Sequence, residues 1–325
     1  MLIVTNGDSA AQRIRGLGLD ANVLPWRDVL HDGPVRPAPS LVAQSAMRAR
    51  FLGQMSGRPV EEVAAEMSGR DGLFEARCKT DLVALWFEHD LYDQLQLVQI
   101  LNAAQCMEPR PELLLAQSDE NLCEMSDADF RALPSKAAPV SDAAFEDSRR
   151  VWKAFVSSDP RALNALARED LALPDLAPAL KRLLAEYPDA RTGLPASLSL
   201  ATSMLMAFPM TIAEMFKQMH DAEDAPFMGD LSFARLIDEI AHAGEPLISA
   251  PDGAPLTPLD YPDREYFNQK VALTEFGTSV LMGAANHVRH NGVDRWIGGV
   301  HLTSGACYWH SAEAGGLLDH EGDPL

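Results

Sequence analysis

The first 120 residues alternate short apolar runs with helical patterns. Four runs predict strands, at residues 2–6, 22–26, 82–87 and 112–116. Their hydrophobicity is continuous rather than alternating, which is typical of parallel strands covered on both faces. Strand–helix–strand alternation of this kind predicts an open parallel sheet with helices on both faces and right-handed crossovers.

The longest connection in this part, between the second and third strands, carries a helical pattern from Ser40 to Ala76. Glycine and proline favour turns over helix interiors. We therefore expect this helix to break near Gly57 and again between Gly69 and Gly72.

The rest of the chain is predicted to be mostly helical. Beyond a linker-like stretch at 134–145, helical patterns fill the region up to residue 187. From residue 196, three helices precede a possible two-stranded ribbon, and a helix is expected from Glu275 to Arg289. Three helices with a ribbon are the outline of a winged helix. The sequence thus predicts an α/β domain at 1–125, a helical connector at 126–194 and a winged-helix-like domain at 195–325.

The amino-acid composition places the chain in the class of globular proteins. With 47% hydrophobic and 23% charged residues the chain is globular, and its 325 residues favour two domains or more. No apolar run reaches the roughly 18–20 residues that span a bilayer, so no membrane partner is expected. Residues 1–8 lack the basic segment of a signal peptide, and the four cysteines lack metal-ligand spacing. Both observations predict a cytoplasmic protein with reduced cysteines.

Charge argues against nucleic acid as a partner. The net charge is −20, and residues 195–325 contribute 18 acidic and 6 basic side chains, a net −12. Such a field repels phosphate-rich polymers unless a local basic stripe overcomes it, and the sequence has no such stripe.

Polar side chains follow the predicted ends of three strands. In an open α/β sheet, ligands bind at this edge, where loops leave a crevice and helix N-termini point into it. Carboxylates and histidines there supply general acids and bases. The candidate catalytic residues are Asp28, His31, Glu88 and His89. The candidate ligand-binding residues are Asp8, Ser9, Arg48, Asp90, Asp93 and Gln94.

Structural roles compete with this interpretation. Asp8 and Asp90 are also typical helix caps, and Asp28 with His31 suits a turn before Gly33. Arg48 fits a solvated helix face as well as an anion contact. Carboxylates from several loops are compatible with a divalent cation. No ligand spacing indicates one, so no metal ligands are assigned and the cofactor stays unknown.

Several of these motifs together resemble the bacterial domain-of-unknown-function 1835 family. The resemblance covers about the first 120 residues, and further strings resemble the C-terminal half that such proteins often carry. It implies an architecture and a polar edge, with no activity to carry over. The N-terminal motifs are Asn6-Gly7-Asp8-Ser9, Trp26-Arg27-Asp28, Arg48 to Phe51, and Leu85 to Leu95. The C-terminal ones are Thr211 to Phe216, Phe227 to Asp230, Leu273 to Gly277, and Arg295 to Leu302.

Three classes of function fit these features. The first is an enzyme acting on a small polar or phosphate-bearing, nucleotide-like molecule at the sheet edge. The second is an interaction or assembly module without catalysis, and the third is a ligand-sensing DNA-binding regulator. Residues 230–245, the expected recognition helix, carry four acidic residues against one arginine, whereas groove-reading helices are normally basic. We therefore rank the regulator last. The sequence does not determine the oligomeric state, and a homo-oligomer is compatible with it.

Overall fold

The computed structural model describes residues 1–260 and 264–325, which form two compact units. The first unit comprises Met1–Gln54, Arg58–Leu180 and Gly298–Val300. The second comprises Met55–Gly57, Lys181–Ile297 and His301–Leu325. The division of the sequence into three domains stays a prediction.

The α/β character of the N-terminal part is confirmed. Strands and helices alternate up to β4, and helices dominate from there to residue 184. The strands are β1 (Leu2–Thr5), β2 (Asn22–Pro25), β3 (Val83–Glu88), β4 (Leu113–Ser118) and β5 (Ala138–Pro139). The helices are α1 (Asp8–Gly16), α2 (Leu41–Ser56), α3 (Val60–Cys78), α4 (Leu91–Gln105), α5 (Asp127–Lys136), α6 (Asp142–Phe155), α7 (Arg161–Leu166) and α8 (Leu176–Leu184).

The five strands form one sheet in the order β2-β1-β3-β4-β5. The first four are parallel, with Leu2 opposite both Asn22 and Val83, and Val83 opposite Leu113. The predicted parallel sheet is thus confirmed, each strand lying within two residues of its expected bounds. The short edge strand β5 runs antiparallel to β4 and was not predicted.

Both faces of the sheet are covered. On one face, Ile3 and Trp86 pack with Ile14 of α1 and Phe130 of α5. Successive strand residues point to opposite faces, so Val4, Leu85 and their neighbours face the other way. They too are fully buried. Continuous hydrophobicity along β1 and β3 therefore reflects burial on two sides.

One expected helix break is absent. The helical pattern does break at Gly57, but α3 runs without interruption from Val60 to Cys78. The expected break between Gly69 and Gly72 is therefore wrong. Apart from the neighbouring residues and the backbone of the helix itself, no atom lies within 4 Å of where a Cβ would stand at either glycine. A glycine in a helix interior costs about 1 kcal/mol, which the buried Met67 and Phe74 on the same helix offset.

The second unit begins with helices and a small antiparallel sheet. Its strands are β6 (Met210–Thr211), β7 (Ile248–Ser249) and β8 (Lys270–Leu273), in the order β6-β8-β7. Its helices are α9 (Ala196–Met204), α10 (Ile212–Ala222), α11 (Asp230–Ala241), α12 (Arg264–Asn268), α13 (Glu275–Leu281) and α14 (His287–Asn291). Two hairpins follow, β9 (Asp294–Ile297) with β10 (Val300–Thr303), and β11 (Trp309–Ser311) with β12 (Gly316–Leu318).

The single helix expected from Glu275 to Arg289 is two helices. Between α13 and α14 the chain passes through Gly283, whose φ of +72° is left-handed and stops the first helix. A Cβ at this position would also lie 2.8 Å from the Arg191 side chain, which would have to shift. Within residues 1–260 and 264–325, no helix has the length and apolar character needed to cross a membrane.

Candidate functional site

The strand order creates a crevice at one edge of the sheet. After β1 the chain crosses to β2 on one side, whereas β3 lies on the other side of β1. Connections that leave two adjacent parallel strands in opposite directions separate their loops, and ligands of open α/β sheets bind in the resulting gap. Here the gap lies between Asn6–Ser9, after β1, and His89–Asp90, after β3.

Three carboxylates meet where β3 passes into α4. Glu88 is the last residue of β3, Asp90 is the N-cap of α4, and Asp93 lies in its first turn. One potential ligand atom from each lies within 4.8 Å of the other two. Their exposed fractions are 3%, 6% and 0%, so all three are out of water. We call Glu88, Asp90 and Asp93 the acidic cluster.

Burial controls the protonation of the acidic cluster. It raises the pKa of Asp90 to about 7, and the neighbouring Glu88 charge adds to the rise. Burial likewise raises the pKa of Glu88 and, together with the Asp90 and Glu88 charges, that of Asp93. Three like charges this close cannot all ionise cheaply. Without a cation, the cluster therefore retains protons near neutral pH.

Hydrogen bonds fix the orientation of the cluster. Asn6 Nδ2, from the loop after β1, donates to Glu88 Oε1 at 3.0 Å. The Glu88 backbone N–H donates to Asp93 Oδ2, and the Asp93 N–H donates to Asp90 Oδ1 at 3.1 Å. Within the described residues Asp93 Oδ1 has no hydrogen-bond partner, although it is buried. One oxygen of the cluster is thus left for another group.

Gln94 and His89 border the cluster. Gln94 is fully buried, and its Nε2 donates to the Glu88 carbonyl at 2.8 Å. His89 is half-buried, and its Nδ1 is a buried atom without a hydrogen-bond partner in the described part of the chain. Burial raises the pKa of Asp175, and the His89 imidazole counteracts this rise. His89 also acts on the pKa of Glu88, so its imidazole lies near both carboxylates. Gln117 Nε2 donates to Asp175 at 3.0 Å.

A positive side chain lies on the other side of the crevice. Arg27 donates to both carboxylate oxygens of Asp8, at 2.8 and 2.6 Å, and these bonds lower the pKa of Asp8. Both side chains are exposed, at 48% and 67%. Arg27 has a φ of +60°, which an L-residue rarely adopts, and its N–H donates to the Asn6 carbonyl at 2.9 Å. Ser9 is exposed on α1, whose N-cap Gly7 provides no side-chain cap.

Asp28, His31 and Arg48 form a separate group around the loop after β2. Arg48 Nε donates to Asp28 Oδ1 at 3.0 Å, and neither side chain is exposed to solvent. The guanidinium also donates to the carbonyls of Val29, Asp32 and Pro34. These contacts anchor the loop and leave little of the Arg48 fork for an anion.

The loop group approaches the acidic cluster through Tyr92. The Tyr92 ring makes an edge contact with His31, with 6.0 Å between ring centroids. Charges on Asp93 and Asp28 both act on the Tyr92 hydroxyl, whose pKa is raised chiefly by burial. The candidate residues therefore share one edge of the sheet in three groups: the acidic cluster with His89 and Gln94, the Asp8 pair, and the loop group.

Sequence reasoning missed three residues at this edge. Asn6 and Arg27 stand inside motifs that the sequence singled out, so their chemistry was visible although their roles were not. Asp175 gave no signal, because it lies far along the chain and comes to the edge only through the packing of the helices. Cys123 is exposed beside the cluster, and burial of its thiol together with the Glu88 charge raises its pKa, which disfavours a thiolate.

No protein-family model matches this chain, and no curated protein is significantly similar to it. The resemblance to the domain-of-unknown-function 1835 family stays a prediction.

Proposed function

We propose that the protein is an enzyme acting on a small, phosphate-bearing, nucleotide-like molecule bound at the carboxyl edge of the N-terminal sheet. The observation that carries the proposal is the acidic cluster, buried at the point where the strand order reverses. Burying carboxylates is costly unless they are paired or coordinated, and such groups concentrate at functional sites. A turn between a strand and a helix can form without three buried carboxylates, so a structural role alone does not account for the acidic cluster.

Two features favour a phosphate group. The N-terminus of α1 opens at this edge without a side-chain cap, so its first N–H groups are directed toward the crevice. Arg27 presents a guanidinium beside it. Its Nε and Nη2 donate to Asp8, which leaves Nη1 to donate a charge-assisted hydrogen bond to a phosphate oxygen. A left-handed conformation at a non-glycine residue costs on the order of 1 kcal/mol, and such outliers concentrate at functional sites.

His89 is the candidate general acid or base. Its Nδ1 carries no hydrogen bond within the described residues, and imidazole exchanges protons readily near neutral pH. We assign Asp28 and Arg48 a positioning role instead, because their contacts hold the loop that also carries His31.

The first prediction concerns ligand binding in EDTA. We expect AMP, ADP, ATP or a sugar phosphate to bind the wild type, measured by calorimetric titration. Arg27→Gln should weaken that binding about 10–100-fold, because a charge-assisted hydrogen bond contributes about 1.5–3 kcal/mol. His89→Gln should leave binding nearly unchanged and slow turnover of the bound compound about 100-fold or more.

Arg15→Gln is the matched control for this titration. Arg15 is an exposed arginine in the last turn of α1, at the opposite end of that helix from the N-terminus beside Arg27, so its loss should not change ligand binding. Equal weakening in the Arg15 and Arg27 variants, or no binding of any compound to the wild type, would contradict the proposal.

An interaction or assembly module is the second candidate, favoured by a groove in the second unit. The groove has a volume of about 690 Å³ and is lined by apolar residues that include Ile248, Leu273 and Phe276. Glu245 and Glu275 also line it. An open apolar groove with acidic residues suits a protein segment better than a small anion.

We propose a winged-helix-like assignment for the part that contains this groove. The elements follow the order α9-β6-α10-α11-β7-α12-β8, and their three strands pair as one antiparallel sheet. The helix α11 in the recognition position carries Asp230, Asp238 and Glu239 against Arg235. Such a helix suits protein contacts better than a DNA groove, so the DNA-binding regulator stays the last-ranked function.

The second prediction follows from this charge. Because residues 195–325 carry a net −12, we expect no measurable binding to a random-sequence DNA duplex at an ionic strength of about 0.15 M. A fluorescence-anisotropy titration with labelled duplex checks this. A Kd in the micromolar range would return the regulator to the first rank.

A further inference from the structure

We propose that Glu88, Asp90 and Asp93 bind a divalent cation, with Mg²⁺, Mn²⁺ or Ca²⁺ as the chemical class. The inference deepens the proposed function and rests on it in one respect: the ion adds positive charge at this edge and so strengthens the binding of a phosphate-bearing ligand that Arg27 already supports. The binding of the ion itself is independent of that ligand.

The spacing of the acidic cluster fits one ion. Oxygen ligands lie about 2.0–2.1 Å from Mg²⁺ and about 2.3–2.6 Å from Ca²⁺, so two ligands on opposite sides of an ion are about 4–5 Å apart. One potential ligand atom from each of the three residues lies within 4.8 Å of the others. Carboxylate oxygens are the ligands that these hard cations prefer.

The pairing of buried carboxylates in the rest of the chain gives a contrast. Asp28 is paired with Arg48, and Asp71 is paired with Arg70. Glu186 is paired with two arginines, Arg182 and Arg295. Among the side chains of residues 1–260 and 265–325, no arginine or lysine forms an ion pair with Glu88, Asp90 or Asp93. Buried carboxylates are paired with a cation, coordinate a metal or stay protonated, and a bound divalent cation would replace the protons that the unpaired acidic cluster retains without one.

Asp93 provides a second, independent observation. Its side chain is fully buried, and Oδ2 accepts the Glu88 N–H, which fixes the carboxylate against the other two. Its Oδ1 makes no hydrogen bond within the described residues, although the Asn6 amide lies close enough to the carboxylate to oppose the rise in the pKa of Asp93. A buried acceptor left unsatisfied costs about 1–3 kcal/mol, more when charged, and a cation removes that cost.

The ion also resolves a conflict of charge at the crevice. Asp8 and the acidic cluster border the same edge, where Arg27 is already paired with Asp8 and Arg48 with Asp28. The carboxylates weaken the attraction of this edge for a phosphate dianion. A divalent cation held by carboxylates on one side and by phosphate oxygens on the other is a common solution in phosphate-binding enzymes.

The third prediction tests metal binding without any phosphate ligand. The full chain is freed of metal with EDTA, exchanged into chelator-free buffer and titrated with Mn²⁺, and free Mn²⁺ is measured by electron paramagnetic resonance. We expect one saturable site per chain, from which Mg²⁺ or Ca²⁺ displaces Mn²⁺. Asp93→Asn should weaken it at least about tenfold, since loss of even an outer partner of a metal ligand costs about 10–100-fold.

Two variants make the titration specific. Glu124→Gln removes an exposed charge that acts on Glu88 but lies outside the cluster, so Mn²⁺ affinity should stay within about twofold of the wild type. Asp93→Asn keeps an oxygen to accept the Glu88 N–H and should fold, as circular dichroism will check. If it does not fold, Asp90→Asn replaces it, because asparagine is an equally good N-cap.

The metal inference is overturned if folded wild type shows no saturable site up to about 1 mM free Mn²⁺, the weak end of protein calcium sites. Unchanged affinity in the folded Asp93 variant would overturn it as well. If a phosphate ligand binds in EDTA through Arg27 but no Mn²⁺ site is found, the metal inference fails and the proposed function is still supported. A Mn²⁺ site without any phosphate ligand would confirm the ion and contradict the proposed function.

Discussion

Exchanging Asp90 for asparagine is expected to raise the free energy of unfolding of the metal-free protein by about 4 kcal/mol at about pH 8 and to change it little at about pH 4. The pKa of Asp90 rises from 3.8 to about 7 on folding, chiefly through burial and then through the Glu88 charge. That rise corresponds to about 4 kcal/mol between the protonated and charged forms. Asparagine keeps the N-cap and carries no charge at any pH.

The direction in which stability changes with pH follows from proton binding at Asp90. Between about pH 4 and about pH 7 the folded state binds more protons at Asp90 than the unfolded state does, so its contribution to stability is complete below this window. The contribution is lost as the pH rises to about 7, and above that the wild type carries a buried charge that the variant lacks. The two stability curves should therefore separate with rising pH.

Urea unfolding of both proteins in EDTA at several pH values checks this expectation. Glu124→Gln is again the control, and its curve should run parallel to that of the wild type because Glu124 is exposed. Parallel curves for Asp90→Asn, or a variant less stable than the wild type at about pH 8, would show that Asp90 is not destabilised by burial.

The sheet could be predicted because its signal is local. Leu82–Phe87 is apolar without interruption, and the observed strand Val83–Glu88 is displaced from it by one residue. Strand β5 could not be predicted in the same way, because Ala138–Pro139 is a two-residue exposed edge strand with no periodicity. The uninterrupted helix through Gly69 and Gly72 shows the opposite case, in which tertiary packing overrides a local preference.

The placement of the candidate residues near the strand ends was predictable from the sequence, whereas their role as a functional site stays a prediction. Polar residues at strand ends mark the edge of a parallel sheet, and the candidates do lie along that edge. Which of them pair with one another depends on loop conformation, which no local pattern encodes. Arg48 illustrates this, since the same helical position fits a solvated arginine, an anion contact or the fully buried partner of Asp28 that the structure contains.

The pairing of Arg48 leads to the second large effect: Asp28→Asn should lower the free energy of unfolding by about 3–5 kcal/mol. Neither side chain of the pair is exposed to solvent, so the variant leaves the guanidinium charge buried without a counter-charge. Arg48 also donates to carbonyls of Val29 and Pro34, and the loop should loosen with it. Glu146→Gln is the control, because it breaks the two-bonded pair with Arg149 on the exposed surface of α6 and should change stability little.

Denaturant unfolding of Asp28→Asn and Glu146→Gln, run beside the ligand titration, separates a structural Asp28 from a catalytic one. A positioning role predicts a large loss of stability together with weaker ligand binding that a stabilising osmolyte partly restores, since osmolytes favour the compact state. A catalytic role predicts nearly unchanged stability, because functional sites commonly trade stability for chemistry. The buried pair with Arg48 favours the first outcome, and unchanged stability in Asp28→Asn would contradict it.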